Sequence, residues 1–254
     1  MICLSSPFPG KGSVASFLAG ILRSSGLAVA TYTSPSLYSL TERISTTDVE
    51  KKQERRISDE QLEQLLRKHW ENVRKQVKLE SDEYGQSLSH FEVLTALAFR
   101  HMADQETEIA VVEAGLGGVT DATNVFSSEN VAATCLSSVG FEHVDVLGGS
   151  LESIARAKSG IAKRGRPMLV GGRQIEYTPS VRAAISETCQ KSNAPLYHAE
   201  ELLEWTVDPL EESTTYIQKC SFTPLSTLLG EPLTNVSLRM MGMDLGTYIQ
   251  KTLL

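Results

Sequence analysis

Between residues 12 and 25 (GSVASFLAGILRSS), Val14, Phe17, Leu18, Ile21 and Leu22 recur at three- and four-residue spacing, the apolar stripe of a helix. Gly26 stands where a C′ residue closes that helix. AVATYT (28–33) reads as a short buried strand, and Pro35 just after it cannot continue a ladder. The polar run ISTTDVEKKQERRI (44–57) predicts an exposed loop. Ser58, with Gln61 three residues on, forms a capping-box pattern ahead of Leu62, Leu65, Leu66, Trp70, Val73 and Val77 at helical spacing. Ser89 and Glu92 repeat the pattern before FEVLTALAFRHM, which is apolar nearly all round and therefore predicted to be buried. EIAVVEAG (108–115) and VAATCLSSV (131–139) are continuous apolar runs, as central parallel strands read. A helix at 150–163, a strand at PMLVGG (167–172), a helix at 179–192 and a strand at PLYHA (195–199) continue the alternation. Strand and helix in series predict an α/β fold, a mostly parallel sheet flanked by helices.

After about residue 200 the pattern changes. EWTVDPLEESTTYIQKCSFTPLSTL mixes β-type alternation with Pro209 and Pro224 and predicts a small β-rich C-terminal segment. The final LGTYIQKTLL has no period. The expected organisation is an α/β domain over 1–200 and a β-type appendage with an unassigned tail over 201–254.

The 254 residues suffice for one large domain or two small ones. With 24 Lys and Arg against 31 Asp and Glu the net charge is -7, which argues against nucleic acid as the main partner. An anionic ligand then needs local positive groups set against that field. No run approaches the length of a membrane span, and MICLSSPFPGKG lacks the basic start and apolar core of a secretory signal. Cys3, Cys135, Cys189 and Cys220 are far apart and form no CxxC pair, so they read as reduced thiols.

Four stretches carry candidate chemistry. Gly10, Lys11, Gly12 and Ser13 stand at the start of the first helix, where glycines let backbone N–H groups approach phosphate and lysine neutralises it. Pro7 and Pro9 remove two N–H donors from the preceding loop, so the pattern alone leaves nucleotide binding and a chance GKGS both open. Glu113 ends a buried strand and is followed by Gly115-Leu116-Gly117-Gly118 and Asp121-Ala122-Thr123-Asn124. An acid there faces the ligand crevice of an open sheet and can hold Mg²⁺, or it can merely cap a turn. Glu142-His143 follows another strand and faces the same crevice, although a lone His is usually structural. Lys158, taken alone, is a solvated helix lysine.

Read together, GKGSVASFLAGILRSSG, YTSPSL with ERI, SHFEVLTALAF, VVEAGLGGVTDATN, SSVGFEHVDVLGGSLESIARAKSGI and PMLVGG resemble, in order over residues 10–172, the dihydrofolate synthase and folylpolyglutamate synthase family of the Mur ligase superfamily. The resemblance implies a P-loop-type sheet, the Mur ligase central ATP-binding domain. It implies ATP bound by Gly10, Lys11, Gly12 and Ser13, a first Mg²⁺ bound through Ser34 and Glu113, and a second through His143. It implies substrate contacts from Ser89, His90, Phe91, Glu92, Thr120, Asp121 and Ala122, and a carbamylated lysine at Lys158, an anion able to coordinate metal. The implied reaction is an ATP-dependent amide ligation, through an acyl phosphate, joining L-glutamate to dihydropteroate or a folate. A monomer in cytoplasm or mitochondria, neither secreted nor bound to membrane or nucleic acid, is the matching expectation. Glu92, three residues after Ser89, fits a capping role equally well.

Departures accompany the match. Pro7, Phe8 and Pro9 replace the family's Gly-Thr-Asn, Ser36 its His, Val119 its Arg, and Glu142 its Asp before the metal His. Only MICLSS remains for the first strand, and after RMMGM the His-Gln motif and second α/β domain are missing. The chain is therefore expected to be truncated at both ends, its first strand largely missing and the family's C-terminal domain absent. The alternatives are a catalytically inactive fragment retaining at most nucleotide or pteroate binding, and an unrelated P-loop kinase or switch NTPase.

Overall fold

The structure, a computed structural model, describes residues 1–5, 11–48, 53–84, 89–171, 177–209 and 216–222, with side chains throughout except in 76–84 and 202–222. The chain order is β1 (Ile2–Ser5), α1 (Lys11–Ser24), β2 (Val29–Tyr32), β3 (Ile44–Asp48), β4 (Gln53–Arg56), α2 (Asp59–Tyr84), α3 (His90–Asp104), β5 (Ile109–Glu113), β6 (Ala133–Leu136), α4 (Val144–Leu147), α5 (Leu151–Ser159), β7 (Met168–Val170), α6 (Pro179–Lys191), β8 (Leu196–His198), α7 (Ala199–Leu202), β9 (Leu203–Pro209) and β10 (Tyr216–Phe222).

Eight strands form one mixed sheet in the order β4-β3-β2-β5-β1-β6-β7-β8. From β2 to β8 all neighbours are parallel, and β3 and β4 add an antiparallel edge. The α/β class with a mostly parallel, helix-flanked sheet thus holds. Among the described residues no helix is long and apolar enough to cross a membrane. Beyond residue 200, β9 and β10 pair as an antiparallel hairpin from Leu203↔Phe222 to Pro209↔Tyr216.

Three expectations change. The six residues left for the first strand suffice for four of them, Ile2–Ser5, to form β1 at the centre of the sheet, so the strand expected to be largely missing is present. Its burial on both faces, between β5 and β6, offsets its shortness. The run 44–57, expected as a loop, holds the β3–β4 hairpin, because Ile44 is fully buried and Thr46 and Ser45 nearly so. The last helix turn expected up to residue 163 stops at Ser159.

Register decides which side chains share a face. Leu4 pairs with Glu113, and Thr31 with Val111. Leu4, Val29 and Val111 pack under Ala15 and Ala19 of α1. Glu113, in register with Leu4, therefore projects to the α1 side. Cys3 and Val112 alternate to the opposite face, where α3, α5 and α6 bury Tyr32, Leu94 and Ala98 in one cluster and Leu136, Ile154, Met168 and Ile185 in another.

The helix signals are realised in detail. Ser58 and Gln61 exchange capping bonds of 3.1 and 3.0 Å at the start of α2. Gly26 adopts φ +92°, closing α1 in the left-handed region that costs glycine nothing.

Candidate functional site

The chain leaves β1 towards β2 on one side and crosses from β5 to β6 on the other, so strand order reverses beside β1. Ligand crevices of open α/β sheets form outside the carboxyl ends of strands at such a switch point. A crevice of about 790 Å³ lies there. Its walls come from the start of α1 (Lys11, Gly12, Ser13), the loop after β2 (Ser34, Pro35), Arg43, and Phe91 of α3. The end of β5 and its loop (Glu113, Gly115, Leu116, Asp121) and the loop after β6 (Glu142, His143) complete it.

The centre of the crevice is a charged pair. Lys11 Nζ lies 3.6 Å from Glu113 Oε1, and Glu113 is 2% exposed. Its other oxygen accepts the Ser34 backbone N–H at 3.3 Å. Burial pushes the Glu113 carboxyl above the usual range, opposed first by the Lys11 charge and then by the Ser34 hydrogen bond. The first turn of α1 itself carries no acidic residue, so the positive end of its dipole faces the crevice beside Glu113.

The loop after β5 is shaped by Asp121. Its Oδ2 accepts from Leu116 N at 2.7 Å, and its Oδ1 from Thr123 N at 2.9 Å and Thr123 Oγ1 at 2.6 Å. Close approach favours glycine at both positions, and most strictly at Gly118, where the neighbouring atoms are backbone. A Cβ on Gly115 would stand 2.5 Å from the Phe91 ring, and one on Gly118 2.6 Å from the Lys158 carbonyl oxygen.

Arg43 is a site residue that sequence reasoning missed. It is 9% exposed. Its Nε donates to Thr33 O at 3.0 Å and its Nη2 to the Tyr32 hydroxyl at 3.3 Å. The guanidinium stacks 5.2 Å from the Tyr32 ring and 5.1 Å from the Phe91 ring. Among the described residues no carboxylate lies within ion-pair distance of it. A guanidinium whose bonds go to neutral oxygens is suited to receive a carboxylate or phosphate. The available signal was a charged residue directly before the buried strand at Ile44.

The expected site residues divide as follows. Lys11, Gly12, Ser13, Ser34, Glu113, Asp121, Phe91 and His143 share the crevice wall. Gly10 lies outside the described residues. Thr120, Ala122, Ser89 and His90 are not among the lining residues. Glu92 is committed to the capping box of α3, its Oε2 accepting from Ser89 N at 2.6 Å and Ser89 Oγ at 2.7 Å. The Ser89 hydroxyl holds the Glu92 carboxyl below its usual range. His143 sits in the left-handed region at φ 47°, a backbone conformation uncommon outside glycine that clusters at functional sites. Lys158 is buried behind the crevice and donates to Glu142 Oε1.

These groups fit a nucleotide and its cation in kind. The start of α1, Lys11 and Gly12, where a Cβ would make no more than ordinary contact at 3.9 Å with Glu113 Oε2, suit a polyphosphate. The Glu113 carboxylate and the Ser34 hydroxyl supply oxygen donors for one divalent ion, and the His143 imidazole a nitrogen donor for a second. Among the described residues, however, no three His, Cys, Asp or Glu side chains already stand close enough to hold one.

Similarity to known proteins points the same way. The chain is 35% identical over 174 residues to the dihydrofolate synthase/folylpolyglutamate synthase of Bacillus subtilis, covering 68% of this chain and 37% of that protein. It is 33% identical over 180 residues to the folylpolyglutamate synthase of Lacticaseibacillus casei, covering 70% of this chain and 39% of that one. The solved Mycobacterium tuberculosis folylpolyglutamate synthase complexed with ADP and AMPPCP superposes with a TM-score of 0.70 at 27% identity, over 86% of this chain and 47% of that one. No family model matches the chain. The chain thus spans well under half the length of the curated relatives named here.

Proposed function

The chain belongs to the dihydrofolate synthase/folylpolyglutamate synthase family, and from that premise we propose that it carries the nucleotide-binding, carboxylate-activating part of an ATP-dependent ligase joining L-glutamate to dihydropteroate or a folate. The observation that carries this reading is the Lys11–Glu113 pair at the sheet's switch point, at the start of a helix whose first turn has no acidic residue.

In this reading Gly10, Lys11, Gly12 and Ser13 hold the nucleotide phosphates. Lys11 neutralises charge that builds on the transferred group, as in other phosphoryl transfers. Ser34 and Glu113 would hold one Mg²⁺ and His143 a second, which would supply charge neutralisation when bound. The substrate carboxylate oxygen attacks the γ-phosphorus of ATP, breaking its bond to the β-phosphate oxygen and releasing ADP; the glutamate amine then attacks the acyl-phosphate carbonyl, loses a proton and expels inorganic phosphate, leaving the amide. Arg43 and Phe91, stacked together, form the wall for the planar, carboxylate-bearing substrate. Asp121 contributes by holding the Leu116 and Thr123 N–H groups, which shapes the loop that faces the substrate. Thr120, Ala122, Ser89 and His90 are proposed as outer contacts of the same ligand, and Glu92 as the capping acid that fixes the start of their helix.

Isothermal titration of Mg-ATP into the purified chain tests the reading, with Lys11→Ala as the paired control. Binding that the variant abolishes is the expected result. A folded chain that takes up no nucleotide overturns the proposal.

A further inference from the structure

A ligase of this kind must bring together two anions, a polyphosphate and a carboxylate, and the crevice holds a separate cation for each. Lys11 opens α1, which packs over Leu4, Val29 and Val111 on one face of the sheet. Arg43 stands against Tyr32, which belongs with Leu94 and Ala98 of α3 to the core on the other face. Both cations line the crevice. In the sheet, β5 lies between the strand of Tyr32 and the strand that leads to Lys11.

Arg43 is fixed in place without a counter-charge. Among the described residues its hydrogen bonds go to two neutral oxygens, the Thr33 carbonyl at 3.0 Å and the Tyr32 hydroxyl at 3.3 Å. A guanidinium only donates, so the Tyr32 oxygen is the acceptor, and the phenol's single proton is left for Thr95 Oγ1 at 2.9 Å. Tyr32 is fully buried and Thr95 nearly so, which keeps bulk water from replacing either partner. The Tyr32 and Phe91 rings stack at 6.1 Å, and the guanidinium lies against both. Two of the five guanidinium N–H groups are thereby used, and three remain for the two-donor grip that matches a carboxylate. A buried cation held this way gains most from a ligand that brings the missing charge.

We propose, taking the ligand from the ligase reading, that Arg43 is the residue that selects an ionised carboxylate on a planar ligand. Tyr32 is its positioning residue: backed by Thr95, the phenol sets the plane of the guanidinium. The neutral amide of the same acid has the same shape and meets the same Phe91 ring. It lacks the charge, and it turns an N–H donor towards the guanidinium donors in place of one oxygen. Selectivity between acid and amide therefore reports on Arg43 separately from ring stacking.

The test is calorimetric titration of pteroate, and separately of its carboxamide, into the purified chain. The wild-type chain is expected to bind the acid roughly ten- to a hundredfold more tightly than the amide, the scale of charged hydrogen bonds. Arg43→Met is expected to abolish that preference by weakening the acid alone. Tyr32→Phe keeps the ring and deletes one oxygen, and it is expected to cut the preference by about threefold or more while amide affinity stays within about twofold. A merely structural loss would weaken both ligands alike. Thr95→Val, equal in shape, is the second variant and is expected to act in the same direction. Equal affinity for acid and amide in the wild type, binding of neither, or a preference that survives in folded Arg43→Met overturns the proposal. Full preference in both Tyr32→Phe and Thr95→Val overturns the part given to Tyr32. Mg-ATP titration of the same samples keeps the two readings apart. A chain that binds Mg-ATP without preferring the acid refutes the role of Arg43 and leaves the ligase reading standing, whereas one that prefers the acid and takes up no Mg-ATP does the reverse.

Discussion

Replacing Lys11 with methionine probes the pair at the centre of the site. The 3.6 Å separation of Lys11 Nζ and Glu113 Oε1 corresponds, at an effective dielectric of about 20, to a gross attraction of roughly 5 kcal/mol. Lys11 retains 16% exposure, and ordering its side chain has a cost, so a net loss of about 2–3 kcal/mol is expected in the variant near pH 8. The sign of the pH dependence follows from Glu113. Burial already raises its carboxyl in the folded state, and Lys11 opposes that rise. Without Lys11 the folded value climbs further. A carboxyl raised in the folded state contributes stability that is fully present below its unfolded value of 4.5 and is lost as pH rises through the folded value. The variant should therefore lie close to wild type near pH 5 and fall progressively behind towards about pH 8. Urea denaturation of both proteins at the two pH values, without divalent cation, measures this. Adding Glu113→Gln removes the charge left without a partner and should recover part of the loss near pH 8. Equal destabilisation at both pH values, or no recovery in the double variant, refutes the reasoning.

Gly118→Ala drives a Cβ to 2.6 Å from a backbone carbonyl that cannot rotate aside, so a loss of about 1–3 kcal/mol and a lower melting temperature are expected. Arg43→Met keeps volume but removes the guanidinium, and titration with folate should show affinity falling roughly ten- to a hundredfold, the scale of charged hydrogen bonds. Ser89→Ala deletes the cap of α3 and should cost about 1 kcal/mol in chemical denaturation, with no effect on Mg-ATP titration. Cys3, its thiol pushed up to about 12 by burial, should react with thiol reagents only at the rate of unfolding, as residue-resolved mass spectrometry can follow.

Much of the architecture was legible because burial leaves a period. The stripe from Val14 to Leu22 and the apolar runs 108–115 and 131–139 each announce an element whose faces must be covered, and both capping boxes are local hydrogen bonds between residues three apart. The hairpin Ile44–Arg56 was not legible, because an edge strand exposed over Gln53–Arg56 carries the same polar composition as a loop. Arg43 was missed for a related reason: its burial comes from Tyr32 and Phe91, residues brought to it by β2 and α3 rather than by its own neighbours.

By itself the sequence determined the alternation of strands and helices, their caps, and the residue types able to meet phosphate, carboxylate and cation, since each depends on contacts within a few residues. Tertiary structure decided the strand order, which puts the four-residue β1 between β5 and β6 and opens the crevice beside it. It also decided the partners: Glu113 with Lys11, Glu142 with Lys158, Arg43 with two aromatic rings. Those pairings join side chains from separate elements. Their charges acquire strength only where the packed sheet and helices have removed water, a condition that no local stretch of sequence records.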